Sequence, residues 1–166
     1  MAPPLRLHAV AFISPLNHPI LIRSFSQVKG DELKYHYIAH TSLDVIEERI
    51  ASSNKSTECY LGFLYAMEDS AVYGYITPLK VKIVLALALS DSVIRDADIT
   101  MIFRAFYNAY YQSLANPFLR LDAPQDSITD HSALLSQGSS KWKGFRRRVD
   151  DVARAVGAVV TTDERD

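Results

Sequence analysis

The stretch that most constrains the fold is residues 80–89, KVKIVLALAL. Beyond Lys82, both the odd-numbered and the even-numbered positions are apolar, which is typical of a strand buried on both faces of a sheet. A sheet buries both faces of a central strand only when helices cover both of them. The sequence therefore predicts an α+β domain in which helices lie on both sides of a sheet.

Four more short apolar segments, separated by turn residues, are predicted to complete this sheet. Two of them precede the first predicted helix and form a hairpin across the turn residues 14–19. The other two lead into residues 80–89 through turns short enough for an antiparallel meander. In the first segment, Leu7 is expected on the same side of the strand as Ala9 and Ala11. The predicted strands are residues 5–13, 20–25, 59–66 and 71–77.

Three segments repeat apolar residues at helical spacing. Residues 31–50 carry an apolar stripe that ends at Ile50, with polar side chains on the opposite side. Residues 96–116 have an acidic first turn and stop before a proline, and the third helix opens at Ser140. The order ββαβββαα predicts a five-stranded antiparallel sheet with one helix on one face and two on the other.

The length of 166 residues is that of a single domain, which is predicted to span residues 1–160. Residues 120–140 combine Pro, Gly, Ser and Asp without periodicity, which predicts a flexible insertion, and residues 161–166 are expected to fray. Cys59 is the single cysteine, so an internal disulfide is excluded and a reducing, cytoplasmic location is expected. No segment has the length of a membrane span.

The overall charge is close to balanced, because 18 Lys and Arg face 19 Asp and Glu for a net charge of −1. Without a global positive field, binding to nucleic acid is not expected. The concentrated basic segment is residues 141–148, KWKGFRRR. It has two interpretations: a solvated helix face partly neutralised by Asp150 and Asp151, or a surface that meets anionic lipid or an acidic partner.

A candidate metal site lies on the polar side of the first predicted helix. His36 and His40 have H-x-x-x-H spacing and Asp44 follows one turn later, so the three side chains could bind zinc. Tyr37 stands where a zinc protease needs its catalytic glutamate, so a solvated helix face is the favoured interpretation. Cys59 has no assignable His or Asn to activate it. No phosphate-binding or dinucleotide-binding glycine motif is present, and the chain is predicted to be a non-enzyme without a cofactor.

Several short motifs occur along the chain between residues 5 and 156. They are Asn17-x-Pro19-Ile20, Tyr37-Ile38-x-His40-Thr41-x-Leu43-Asp44-x-Ile46, Tyr60-Leu61-Gly62, Val72-Tyr73-Gly74-Tyr75-Ile76-Thr77, Lys80-Val81-Lys82, Arg95-Asp96, Asn116-Pro117-Phe118, and Phe145 with Val149. In this order, they resemble the sedlin family of TRAPP vesicle-tethering subunits, which implies a longin-like (profilin-like) fold. The chain departs from that family at residues 119–140, because family members usually reach the last helix in a few residues.

The resemblance implies a non-catalytic small subunit of a TRAPP complex, which acts in Rab guanine-nucleotide exchange and in ER-to-Golgi and Golgi transport. Its partners would be other TRAPP subunits and, indirectly, a Rab GTPase, and it would reach ER-Golgi and Golgi membranes only peripherally, through the complex. Two alternatives stay open: a longin regulatory domain of the SNARE or adaptor type, and a small metal-dependent enzyme using His36, His40 and Asp44. A SNARE would also need a heptad helix and a membrane tail, which the sequence does not contain.

Asp44 matches the Leu-Asp pair of the family and lies near the centre of the polar side of its helix. The fold alone would accept Lys, Gln or Glu there about equally well. It is either a solvated or locally held carboxylate, or an acceptor for a donor on a neighbouring subunit. The predicted partner-binding residues are Asp44, His40, Tyr37, Glu47 and Glu48.

Overall fold

A computed structural model describes residues 6–25, 31–52, 59–89, 94–114 and 140–156. In these residues the elements follow the predicted order ββαβββαα. The strands are β1 (Leu7–Ile13), β2 (Pro19–Ser24), β3 (Tyr60–Met67), β4 (Ser70–Ile76) and β5 (Lys82–Ala88). The helices are α1 (Asp31–Ser52), α2 (Asp96–Leu114) and α3 (Ser140–Val156). The predicted insertion at 120–140 and the predicted tail at 161–166 lie outside the described residues, except that Ser140 begins α3.

The described strands form one antiparallel sheet in the order β2-β1-β5-β4-β3. Strand β5 is at its centre, between β1 and β4, and it is buried from Lys82 to Leu87. A strand in that position has neighbours on both edges and helices on both faces, as its continuous apolar sequence requires. The prediction of a sheet covered on both sides is therefore confirmed.

Helix α1 packs on one face of the sheet through mostly small and aliphatic side chains. We call this layer the α1 core; it consists of Ala9, Ala11, Ile13, Tyr35, Ile38, Ala39, Leu43, Ile46, Leu64, Val72, Val84 and Ala86. Four of these residues are alanines, and their small side chains let the helix approach the strands closely.

Helices α2 and α3 pack side by side on the opposite face through aromatic rings. We call this layer the aromatic core because Phe12 of β1 contacts three rings there. The centroids of Phe12 and Phe145 are 5.0 Å apart in an edge-to-face arrangement, and Tyr110 stacks on Phe12 at 6.0 Å. Such aromatic contacts join both helices to the central strands. Among the described helices, one therefore covers one face and two cover the other, as predicted.

The side-chain alternation of β1 differs from the prediction at one residue. Leu7 lies in the aromatic core with Val10 and Phe12, whereas Ala9 and Ala11 lie in the α1 core. The register of β1 against β5 shifts between Leu7 and Ala9, and an extra residue in a strand moves the residues before it to the other face. The expectation that Leu7 shares a side with Ala9 is therefore wrong.

Ion pairs also join each helix layer to the sheet. On the aromatic side, Arg23 of β2 donates to Asp150 of α3 at 2.9 Å, and both side chains are largely buried. On the α1 side, Lys34 lies 3.0 Å from both Glu68 and Asp69, which are exposed in the turn between β3 and β4. The three pairs have similar lengths, but the carboxylates on the α1 side are far more exposed to solvent than Asp150.

Candidate functional site

Helix α1 separates its apolar and polar side chains as the sequence predicts. Tyr35, Ile38, Leu43 and Ile46 are buried against the sheet. Ile50, which was expected to extend this stripe, is instead 46% exposed. In the last turn the sheet is contacted by Arg49, whose Nη1 donates to the carbonyl oxygen of Leu61 at 2.6 Å. The prediction for Ile50 is therefore wrong, because the neighbouring Arg49 makes the contact with β3.

The predicted partner-binding residues all lie on the solvent side of α1. We call this surface the α1 outer face, and it comprises His36, Tyr37, His40, Asp44, Glu47 and Glu48, all of which are exposed. Tyr37 is 62% exposed, although its ring is apolar. With three carboxylates and no Lys or Arg, this face carries negative charge.

Asp44 makes no hydrogen bond or ion pair with any residue in the described part of the chain. None of these described residues therefore holds its carboxylate in place. Of the two interpretations of Asp44, the one with a locally bound side chain has no support in the described residues. What remains is a carboxylate that is either simply solvated or available to a donor on another protein.

Glu47 differs from Asp44, because it takes part in a chain of hydrogen bonds that leads into the sheet. Asn17, in the turn between β1 and β2, donates from Nδ2 to Oε1 of Glu47 at 2.9 Å. The ammonium of Lys82, at the start of β5, donates to Oδ1 of Asn17. Glu47 therefore connects α1 to the hairpin and to the central strand, in addition to any contact with a partner.

Lys82 is the buried charge in this chain of hydrogen bonds, with only 8% of its surface exposed. Burial lowers the pKa of its ammonium, and the negative charge of Glu47 acts in the opposite direction. Asn17 adopts a left-handed conformation with φ of 65°, which Asn tolerates better than most residues. Sequence reasoning noted both residues only as family motifs. A lysine beginning an otherwise apolar strand was a further signal of a buried polar contact.

An apolar depression adjoins the α1 outer face where the β1–β2 hairpin meets α1. It is lined by Ile13, Pro19, Ile22, Ala39, His40 and Leu43. His40 is thus both an exposed residue of α1 and part of the wall of this depression. A partner that approaches Asp44 would find apolar surface beside the negative charge.

The candidate metal and nucleophile residues receive no support from the geometry. Within the described residues, no three His, Cys, Asp or Glu side chains are grouped so that they could hold a metal ion, and this includes His36, His40 and Asp44. Cys59 is half-buried beside Tyr75, and burial is the main reason that the pKa of the Tyr75 hydroxyl is raised. No helix in the described ranges is long and apolar enough to span a membrane.

The basic segment of α3 is not neutralised in the way that the sequence suggested. Asp150 is bound to Arg23 of β2, and Asp151 lies 3.1 Å from Arg154, one turn further along α3. Neither carboxylate therefore pairs with the run of cations before it. Arg148 donates to the hydroxyl of Ser113 in α2 at 3.0 Å. The side chains of residues 141 and 142 lie outside the described part.

Comparison with known proteins places this fold in a family. A family model described as Sedlin matches residues 12–137. The "Trafficking protein particle complex subunit 2-like protein" of Bos taurus is 44% identical over 113 residues, which are 66% of this chain and 80% of that protein. The proteins of the same name from Xenopus tropicalis and Dictyostelium discoideum are 42% and 37% identical, over 71% and 74% of this chain and 86% and 89% of their own lengths.

The chain belongs to the sedlin family. Two of the sedlin-family motif residues, Asn17 and Lys82, have a structural explanation in the hydrogen bonds that join the hairpin, the central strand and Glu47. Asp44 has none, because no described residue binds its side chain. Among the motif residues on α1, Asp44 is the charged one, and no contact within the described residues uses its charge.

Proposed function

We propose that this sedlin-family chain is a non-catalytic small subunit of a TRAPP complex, and that its α1 outer face binds a neighbouring subunit. The names of its relatives, which call them subunits of a trafficking protein particle complex, support this assignment. The observation that carries the proposed surface is the exposed, unbound carboxylate of Asp44 on a helix whose other face is buried. The wider role would be assembly of a Rab exchange factor that acts in ER-to-Golgi and Golgi transport, with the chain in the cytoplasm and peripherally associated with these membranes.

The chemistry of the α1 outer face favours a basic or hydrogen-bond-donating partner. Asp44 and Glu48 present carboxylates to solvent, and Tyr37 offers an exposed ring of the kind enriched at protein interfaces. An Arg or Lys of the partner could pair with Asp44 while an apolar side chain enters the adjoining depression. Among the described residues no His, Cys, Asp and Glu side chains are grouped to hold a metal ion, so no observation favours the metal-enzyme alternative. The SNARE or adaptor alternative also has no observation of its own in its favour.

Affinity purification of the tagged full chain from its own cells, followed by mass spectrometry, tests the proposed assembly. TRAPP subunits should be recovered in stoichiometric amounts with the parent chain. Recovery of SNARE proteins or clathrin-adaptor subunits in their place would contradict the proposal and favour one of the alternative longin roles.

Substitution of Asp44 tests the proposed surface separately. Asp44→Asn removes the charge and keeps the shape, and it is expected to weaken association by about 2 to 5 kcal/mol if the carboxylate pairs with a cation at a buried interface. Asp44→Tyr adds bulk at the same position and should weaken it as well. Thermal melting should leave both variants close to the parent, because exposed carboxylates contribute little to folding.

Asp151→Asn is the matched control, because it removes an exposed carboxylate from the opposite side of the domain. It should leave the recovery of TRAPP subunits unchanged. If the Asp44 variants unfold the domain while their folded fraction still binds normally, Asp44 has a structural role and the assigned surface is wrong.

A further inference from the structure

The outer faces of α2 and α3 carry a charge pattern opposite to that of α1. Helix α3 contains six Lys or Arg side chains against two Asp. Lys143, Arg147 and Arg148 are exposed on it, and Arg104 is exposed on α2 beside it. We call the exposed side chains Met101, Arg104, Tyr111, Lys143, Arg147 and Arg148 the α2–α3 outer face.

The acidic side chains of these two helices do not neutralise that face. Asp150 is bound to Arg23, and Asp151 to Arg154. At the start of α2, Asp96 accepts a hydrogen bond from Tyr60, and Asp98 lies 3.2 Å from Arg95. All four carboxylates therefore have partners other than the cations of the α2–α3 outer face.

Helix stability does not explain why the cations are where they are. The macrodipole of a helix favours acidic residues in the first turns and basic residues in the last turn. The run of basic residues in α3 lies in its first half, and the first turn of α3 contains no acidic residue. Arg147 makes no hydrogen bond or ion pair with any described residue, so no contact in the described part of the chain explains its charge.

The spacing of the cations matches an extended anionic surface better than a single anionic group. Arg148 contacts Ser113 of α2, and Arg104 lies nine residues before Ser113 on that helix. At a rise of 1.5 Å per residue, Arg104 is about 14 Å from Ser113 along the helix axis. The cations are thus spread over two adjacent helices and do not converge on one point. On the same helix, Met101 and Tyr111 are 68% and 54% exposed. A Tyr side chain suits the interface between lipid headgroups and water, because its ring is apolar and its hydroxyl is polar.

From this pattern we propose that the α2–α3 outer face contacts an anionic lipid surface directly. Clusters of Lys and Arg on a helix attract membranes that contain acidic lipids, and the attraction falls with rising salt. Helix α3 itself does not insert, because Phe145, Val149 and Ala153 on its apolar side are buried in the aromatic core. The contact is electrostatic, with Met101 and Tyr111 at the headgroup level. It lies on the face of the sheet opposite Asp44, so one chain can bind a partner subunit and a membrane simultaneously.

This inference does not rest on the proposed TRAPP function, and it is tested with the full chain alone. The probes are vesicles of phosphatidylcholine, with or without about 30% phosphatidylserine, in a flotation assay at low salt. The parent chain should float with the anionic vesicles and not with the neutral ones, and a rise in salt should release it. Arg104→Glu/Arg147→Glu reverses one exposed charge on each helix and should reduce binding at least about tenfold.

The matched control is Arg6→Glu/Lys80→Asp, which changes the net charge equally at exposed positions outside α2 and α3. Aspartate is chosen at Lys80 because the backbone there has φ of 65°. The control should keep binding within about twofold, since the altered charges lie off the contacting face, and thermal melting should show all variants folded.

Equal binding by both double variants, or no flotation of the parent, would overturn the proposal. The proposal would also be overturned if the parent bound neither kind of vesicle and was captured by immobilised polyglutamate. That result would assign the surface to an acidic protein.

Discussion

Helix α1 contacts its face of the sheet through alanines and aliphatic side chains, whereas α2 and α3 contact the other face through interlocking aromatic rings. The outer surfaces differ as well, because α1 presents carboxylates and the other two helices present cations. Large side chains bury more area per residue, so most of the stability gained from packing should lie on the aromatic side. The α1 side can then carry a binding surface whose residues are little constrained by folding.

The same asymmetry appears in the ion pairs that join the helices to the sheet. Arg23 and Asp150 are only 15% and 16% exposed, while Glu68 and Asp69 are 69% and 70% exposed. Exposed pairs contribute little, and breaking a pair that is mostly desolvated costs more because one charge is left without its partner. The comparison therefore predicts a graded set of effects, with the larger ones on the aromatic side.

The largest effect is expected from Phe12→Ala, since Phe12 is fully buried and contacts rings from both α2 and α3. Its removal leaves a cavity at the centre of the aromatic core and should lower the free energy of unfolding by about 3 to 5 kcal/mol. Leu43→Ala, at the margin of the α1 core, should cost about 2 kcal/mol, near the lower end for such changes. Urea unfolding of both variants measures the difference. Equal losses, or a larger loss at Leu43, would show that the two faces contribute alike.

A smaller effect is expected from Asp150→Asn, which keeps the size of the side chain and removes its charge. The substitution removes the negative charge that the largely buried guanidinium of Arg23 contacts, at a cost of about 1 to 3 kcal/mol. The neighbouring substitution Asp151→Asn should cost less than about 0.5 kcal/mol, because that ion pair is exposed. Urea midpoints of the two variants, with unchanged slopes, make the comparison. Similar midpoints would mean that burial does not strengthen the Arg23 pair.

Much of the fold could be predicted because local patterns coincide with the tertiary structure. The doubly apolar stretch that became β5 specified a central strand, and helical spacing specified the buried side of α1 as far as Ile46. The failures arose where a single residue changed the pattern. The bulge before Ala9 reversed the side of Leu7, and Arg49 made the contact with β3 that a helical projection assigned to Ile50.

The candidate site was predictable in its position and not in its connections. Exposure of Asp44 follows from the helical projection of α1. The hydrogen bonds that join Asn17 to Glu47 and to Lys82 could not be predicted, because they connect residues 30 and 65 positions apart that only the folded chain brings together. The pairing of Asp150 with Arg23 spans 127 positions, and for the same reason sequence reasoning assigned Asp150 to the neighbouring cations.

The smallest effect concerns the exposed ion pair on the α1 side, and its sign follows from the pKa of Asp69. The hydrogen bond from the Lys34 ammonium, together with the positive charges of Lys34 and His8, lowers the pKa of the Asp69 carboxyl below 3.8. A carboxyl whose pKa is lower in the folded state stabilises it fully above the unfolded pKa, and this stabilisation is lost as the pH falls through the folded pKa. The pKa of Lys34 is raised, so the ammonium keeps its charge throughout the neutral range.

Asp69→Asn should therefore lower the free energy of unfolding at pH 7 by about 0.2 to 1 kcal/mol, the usual range for an exposed pair. At about pH 2.5 the difference from the parent should shrink, because the carboxyl of the parent is then increasingly protonated. Urea unfolding of both proteins at the two pH values measures this change. A difference that grows in acid would contradict the lowered pKa of Asp69. A loss at pH 7 as large as that of Asp150→Asn would show that α1 is held as firmly by charge as α3. The contrast between the two faces would then lie in their packing alone.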